Sequence, residues 1–445
     1  MIPASTHYWL TNAHVPISLL VAPVAVQGDF AHVDLEITDG YITQVVSTGT
    51  VAINDLPSLD LRRGQVWPCF VDMHTHLDKG HIWERSPNTT GTFTEALDAV
   101  RADSKLYWDA EDVYRRMQFG LKCSYAHGTQ AIRTHIDSMG EQAAISFSVF
   151  KALQREWSDR LTLQAVCLVP IDYFQTAEGE KLADLVADVG GVLGGLAVMN
   201  ENLDAQLNHV LTLAHERQLP LDFHVDENGD PESTVLRQVA AAILRQQFDQ
   251  QVICGHCCSL AVQPADIAQE TINLVKQAGI GIVSLPMCNL FLQDRNQEAS
   301  SFWLSTLATE SSTHTPRWRG VTLLHELDQA DIPVAVASDN CRDPFYGFGD
   351  HDMLEVFTQA TRIAHLDVDR AHWCRVVTQT PAQLLGLPQM GQITVGSPAD
   401  LVLFKARSFS ELLSRPQSDR IVLRRGQAID TTLPDYAELD DLISR

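Results

Sequence analysis

The chain is short of positive charge and has no long apolar run, and each shortage removes a class of function. Its 445 residues hold 32 Lys and Arg against 56 Asp and Glu, a net charge of −24. A surface of that sign repels phosphate, so neither nucleic acid nor an anionic membrane is an expected partner. It places no limit on a small neutral substrate in a cavity. Nowhere do about 18 apolar residues run together, as a membrane-spanning helix would need. The opening MIPASTHYWLTNAHV lacks a basic segment followed by an apolar one, so no secretory signal is expected and the location expected is cytoplasmic. Nine cysteines are scattered without a framework spacing, which fits reduced thiols better than disulfides. Cys254-Gly255-His256-Cys257 is formally a CxxC, but no second pair accompanies it, and it is read as coincidental. Low-complexity segments and short repeats are also missing; Ser311–Pro316 is a polar loop.

What is present is an ordinary globular composition, 45% hydrophobic and 20% charged. The length exceeds one ordinary core but accommodates a β/α barrel of about 250 residues with a smaller accessory unit. Residues 1–65 are β-rich: Tyr8–Val15 reads as a strand, and Val33–Ile37 and Tyr41–Val45 alternate around an Asp39-Gly40 turn. Short strands recur over 391–430, so both termini are expected to build one small β-sandwich domain from residues 1–65 and 388–445. The centre, 66–387, alternates strand-like and helix-like stretches. The apolar run Val66–Met73, interrupted by Pro68, reads as one strand ending at His74. Seven more follow, over Thr129–His135, Leu161–Val169, Val192–Met199, Leu219–His224, Gln251–His256, Ile280–Leu285 and Ile332–Asp339. Eight strand–helix units predict an α/β fold, a (β/α)8 TIM-like barrel.

Four of these strands end in residues suited to metal or proton chemistry. The first ends in His74 and His76, which leave a strand on the same side because they are two apart. Alone, this His-x-His fits ordinary polar loop residues equally well. The fifth strand, however, ends in His224 with Glu227 beyond it, the sixth in His256 and the eighth in Asp339. Catalytic groups of a β/α barrel gather at the C-terminal strand ends. Three imidazoles and a carboxylate there make a site for one divalent metal, Zn or Fe, with a position left for water. A binuclear site in this architecture would carry a modified lysine on the fourth strand. That strand ends Gly195-Leu196-Ala197-Val198-Met199-Asn200, without one, so a single ion is expected.

Several segments together resemble the amidohydrolase superfamily, and within it the cytosine deaminase branch. They are Ile132-Arg133-Thr134-His135-Ile136-Asp137, His224-Val225-Asp226-Glu227, Leu285-Pro286-Met287-Cys288-Asn289, Ser338-Asp339-Asn340 with Asp343-Pro344-Phe345, and the tail Gly396-Ser397-Pro398-Ala399-Asp400. The resemblance implies that His74, His76, His224 and Asp339 hold the metal, that Glu227 shuttles protons and that His256 orients the water and the tetrahedral intermediate. Asp339 is also placed to take a proton from the attacking water. Homo-oligomerisation is expected on the same ground.

The chain departs from cytosine deaminase in the groups that contact the base. Ile171 stands where that enzyme has a glutamine, Asn340 follows the metal aspartate, and Phe345 replaces a tryptophan. Lys79, in His76-Leu77-Asp78-Lys79, resembles instead relatives acting on s-triazines, such as N-isopropylammelide amidohydrolase; a surface lysine is the other reading. The four positions Lys79, Ile171, Asn340 and Phe345 are the expected substrate contacts. The expected activity is hydrolytic deamination of a nitrogen heterocycle, a cytosine-like pyrimidine or related ring, with release of ammonia. The alternatives are hydrolysis of an N-alkyl amine from a triazine, and a catalytically silent binding protein.

Overall fold

The computed structural model describes residues 2–22, 24, 26–51, 56–295 and 315–444, so most of the loop expected at Ser311–Pro316 lies outside them. The chain divides into two compact units, one drawn from Met1–Met73, Lys122–Ile132 and His351–Pro434, the other from His74–Leu121, Arg133–Asp350 and Asp435–Arg445.

All eight expected central strands are present. They are β1 (Phe70–Thr75), β2 (Thr129–Asp137), β3 (Thr162–Leu168), β4 (Leu193–Ala197), β5 (Leu221–Val225), β6 (Val252–His256), β7 (Gly281–Ser284) and β8 (Val334–Val336). They form a three-stranded sheet in the order β3–β2–β1 and a parallel five-stranded sheet running from β4 to β8. Bridges Val166↔Val192 and Pro170↔Leu196 connect β3 to β4, and Thr75↔Asp339 joins β1 to the end of β8. This closes the ring of a (β/α)8 barrel. Most barrel-strand residues are buried on both faces, as expected of parallel strands covered by helices. Helices lie between these strands, for example Phe93–Tyr107, Ala110–Ala126, Leu203–Glu216 and Val235–Gln246, as the expected alternation requires.

The run Val66–Met73 is not one strand. Val66–Pro68 pairs antiparallel with Leu401–Leu403, and a separate strand starts at Phe70. Pro68 has no N–H with which to continue a ladder. Cys69 N–H then donates to Asp400 O, and Phe70 N–H donates to Gly128 O, so the chain changes partner within two residues.

In the first unit, His7–Pro16, Phe30–Thr38 and Tyr41–Ser47 pair antiparallel. The Asp39-Gly40 turn has φ of 50° and 85°, the two positive values that a two-residue hairpin loop demands. Its buried core draws on both chain ends, with Tyr8, Leu10, Val33 and Leu35 beside Leu401, Leu403 and Leu423.

Candidate active site

His74 and His76 leave the end of β1, His224 leaves β5, and Asp339 follows β8. All four are buried. Their metal-binding atoms converge: His74 Nε2 lies 3.2 Å from His224 Nε2, which is 3.4 Å from His76 Nε2. Asp339 Oδ1 is 3.2 Å from His76 Nε2 and 3.6 Å from His74 Nε2. Donor atoms about 2.0–2.2 Å from a tetrahedral cation lie about 3.3–3.6 Å from one another, so the set fits one first-row ion. Burial first, and then the charge of neighbouring groups, holds all three imidazoles well below their ordinary pKa, in the neutral form that ligates metal. The backbone of Asp339 is held against β1: its N–H donates to His74 O, and its carbonyl accepts from Thr75 Oγ1.

Glu227 is set by its neighbour. Asp226, at φ 53°, accepts from Ser233 Oγ and from the backbone N–H groups of Val235 and Leu236, clamping the loop onto the start of helix Val235–Gln246. His256 (φ 70°) and Asp339 (φ 62°) also sit in the left-handed region at their strand ends, where a non-glycine residue is strained. Asn289 connects Glu227 to His256. Its Nδ2 donates to Glu227 Oε1 at 3.2 Å and to His256 Nδ1 at 3.0 Å, the amide orientation being assigned from these bonds. His256 Nδ1 is then an acceptor, so its proton sits on the buried Nε2. Burial and then the charge of Asp339 hold the Glu227 carboxyl well above the usual carboxylate range.

One cavity of about 200 Å³ takes in His76, His224, Glu227, His256 and Asp339. Phe93, Leu97 and Val100 of helix Phe93–Tyr107 and Trp108 form one apolar wall, and Leu168, Val169 and Leu196 from the ends of β3 and β4 form another. Of the four expected substrate contacts, Lys79, Asn340 and Phe345 line this cavity. Lys79 is buried, not a surface lysine, with Nζ 3.0 Å from Asp137 Oδ1 and 5.1 Å from the centre of the Phe345 ring. Burial alone would lower its pKa, but Asp137, Asp78 and Asp343 outweigh burial and raise it to about 12. Ile171 is not in the lining. Pro170 occupies the wall, while Ile171 turns into the core, where a Cβ on Gly195 would lie 3.1 Å from its Cγ2.

The family described as "Amidohydrolase family" matches residues 116–429. The chain belongs to it. Among curated relatives of this amidohydrolase is the pterin deaminase of Rhizobium rhizogenes, 50% identical over 99% of this chain and 98% of that one. The N-isopropylammelide isopropyl amidohydrolase of Pseudomonas sp. is 26% identical over 83% of this chain and 87% of that one. Among solved structures, 5-methylcytosine deaminase from Klebsiella pneumoniae, liganded with phosphonocytosine, superposes with a TM-score of 0.79 at 24% identity. The match covers 95% of this chain and 98% of that one, and shows a shared fold.

Residues to which the sequence assigned no role pack against this cluster. His135 is fully buried, its ring centre 3.9 Å from that of His74, and its Nε2 is 3.9 Å from Asp222 Oδ1. Asp222 in turn accepts from Arg133 Nη1 at 2.9 Å. Asn289, His135 and Asp137 all fall inside segments that carry the resemblance, so the signal was their position in those motifs. The cysteines of the CxxC are buried free thiols, and burial pushes Cys254 and Cys257 well above the usual thiol range.

Proposed function

We infer that this amidohydrolase is a hydrolytic deaminase of a nitrogen heterocycle, and we propose a 2-amino-4-oxo ring, a pteridine first, as its substrate. The observation that carries the reading is one apolar-walled cavity joining the three-imidazole, one-carboxylate cluster to the Glu227–Asn289–His256 array. The relation to a pterin deaminase over almost the whole chain supports the choice of ring. One divalent ion, Zn or Fe, is proposed at His74, His76, His224 and Asp339. Such an ion, when bound, supplies a water whose pKa falls toward about 7. Asp339 accepts a proton from the attacking water. Glu227, kept protonated by burial, gives its proton to the ring nitrogen beside the amino-bearing carbon, which makes that carbon electrophilic. His256 Nε2–H donates to the oxygen that arrives there. Glu227, now a carboxylate, takes the hydroxyl proton of the tetrahedral intermediate, the proton held by Asp339 passes to the departing amine, and ammonia leaves with both carboxyl groups restored.

The partner is accordingly a small heterocycle. No helix among the described residues is long and apolar enough to cross a membrane. A cytoplasmic homo-oligomer without nucleic-acid or membrane partners is proposed from charge and family. A terminal β-sandwich of residues 1–65 and 388–445 flanking a barrel of 66–387 is also proposed. The pairing of Leu20–Val21 with Ile393–Thr394 supports strand sharing between the chain ends.

The test is ammonia release by zinc- or iron-loaded protein across pterin, guanine, cytosine and amino-triazines. Pterin is expected to be turned over fastest. Release of isopropylamine from N-isopropylammelide with none of ammonia from pterin would favour the triazine reading instead. A chain that holds no metal and releases neither amine would be a silent binding protein.

A further inference from the structure

The cavity holds a charged pair that the chemistry above leaves unused. Lys79 and Asp137 both line it, from the loop after β1 and the last position of β2, with Nζ and Oδ1 3.0 Å apart. Neither position is free to drift. Asp137 N–H donates to the buried Asp78 Oδ2 at 2.8 Å, and Arg116 holds Asp78 O, so backbone and side chain of the two loops are tied together. Asp137 takes one of the three N–H bonds of the ammonium, which leaves others to donate to a ligand, and Asp137 keeps part of its side chain open, 28% exposed. A donor and an acceptor side by side in the cavity wall match a planar group that offers the converse pattern. The H–N–C=O edge of a lactam does so, its N–H and its carbonyl oxygen being adjacent and coplanar.

We propose that Asp137 is a specificity-determining residue that, paired with Lys79, recognises the lactam edge of the substrate ring. Asp137 accepts from the ring N–H and Lys79 donates to the neighbouring carbonyl oxygen. This rests on the deaminase reading and narrows it to rings carrying that edge next to the amino-bearing carbon. Ring systems with the amine but without the N–H would cover the open part of Asp137 and leave it only its Lys79 partner, a mismatch that a site built to accept an N–H rejects.

The experiment is a cycle of substrate against protein: pterin and 3-methylpterin, which lacks the ring N–H, with the zinc-loaded wild-type chain, Asp137→Asn and Asp137→Ala. A hydrogen bond to a charged acceptor is worth about 10- to 100-fold in kcat/KM. Wild type is expected to lose that factor on methylation, whereas Asp137→Ala loses it on pterin and shows little further loss on 3-methylpterin. Asp137→Asn, which keeps the shape, guards against misfolding and is checked by its Tm and bound zinc. Equal loss on both substrates at unchanged KM ratio would make Asp137 a mere counter-ion for Lys79 and overturn the proposal. Wild type inactive on every amino-heterocycle would instead overturn the deaminase reading, and this inference with it.

Discussion

At the scale of single residues, the proposed chemistry separates groups that would hold a metal from groups that would move protons. Glu227 ligates nothing in the proposed set, so Glu227→Gln is expected to retain its metal while kcat falls about 10²–10⁴-fold, the usual worth of general acid–base catalysis. Ammonia assays beside metal analysis of the same sample check this; loss of both together would make Glu227 a structural residue. Asp343 provides a pH signature. Its carboxyl accepts from the N–H groups of Phe345 and Tyr346 and from Asn340 Nδ2, and burial raises its pKa from 3.8 to about 6, against the lowering influence of Lys79. A carboxyl raised on folding adds stability below its unfolded pKa, and that stability is lost as pH rises through about 6. The non-titrating variant Asp343→Asn is therefore expected to show its largest stability deficit near pH 4, shrinking by at most about 3 kcal/mol by pH 8. Denaturant melts of both proteins across this range measure it.

At the scale of elements, the strand ends do the placing and small residues set how closely they approach. Gly255 in β6 faces His74 of β1: a Cβ there would lie 3.0 Å from His74 Cε1 and 3.2 Å from its Nδ1. Gly255→Ala thus displaces a ligand without altering one. Its metal affinity is expected to fall at least about 10-fold, in line with changes that disturb the support of a metal-ligating imidazole, which competition with a chelator would read. Unchanged affinity would mean that β6 shifts freely. The sequence disclosed eight strands, because each apolar run is bounded by polar or turn residues. It misjudged Val66–Met73, because a proline inside an apolar run does not announce that the chain is changing sheets. Ile171 illustrates the same gap: its place after β3 was legible, but not that Pro170 would turn its side chain into the core beside Gly195.

At the scale of the whole molecule, the proposed cation joins side chains from β1, β5 and β8, which lie about 260 residues apart at the extremes. Binding to the folded state alone stabilises it by about 4 kcal/mol at a free metal concentration a thousand times Kd. Stripping with a chelator is expected to abolish ammonia release and lower Tm, and zinc or ferrous iron to restore both. Activity that survives complete removal would defeat the metal-dependent reading. Buried neutral imidazoles in the stripped site would make that form acid-sensitive, since histidines held below their ordinary pKa lose stability as pH falls through about 6.5.

The sequence by itself determined the strand count and put His74, His76, His224, His256 and Asp339 at strand ends with Glu227 just beyond one, since these depend on local periodicity; the roles proposed for them are those the family resemblance implies. Only the tertiary structure decided that Asn289 bridges Glu227 to His256, that His135 lies against His74, and that Lys79 meets Asp137 inside the cavity. Those contacts join strands far apart in the chain. Their distances follow from the closure of the barrel, which no local pattern of residues encodes.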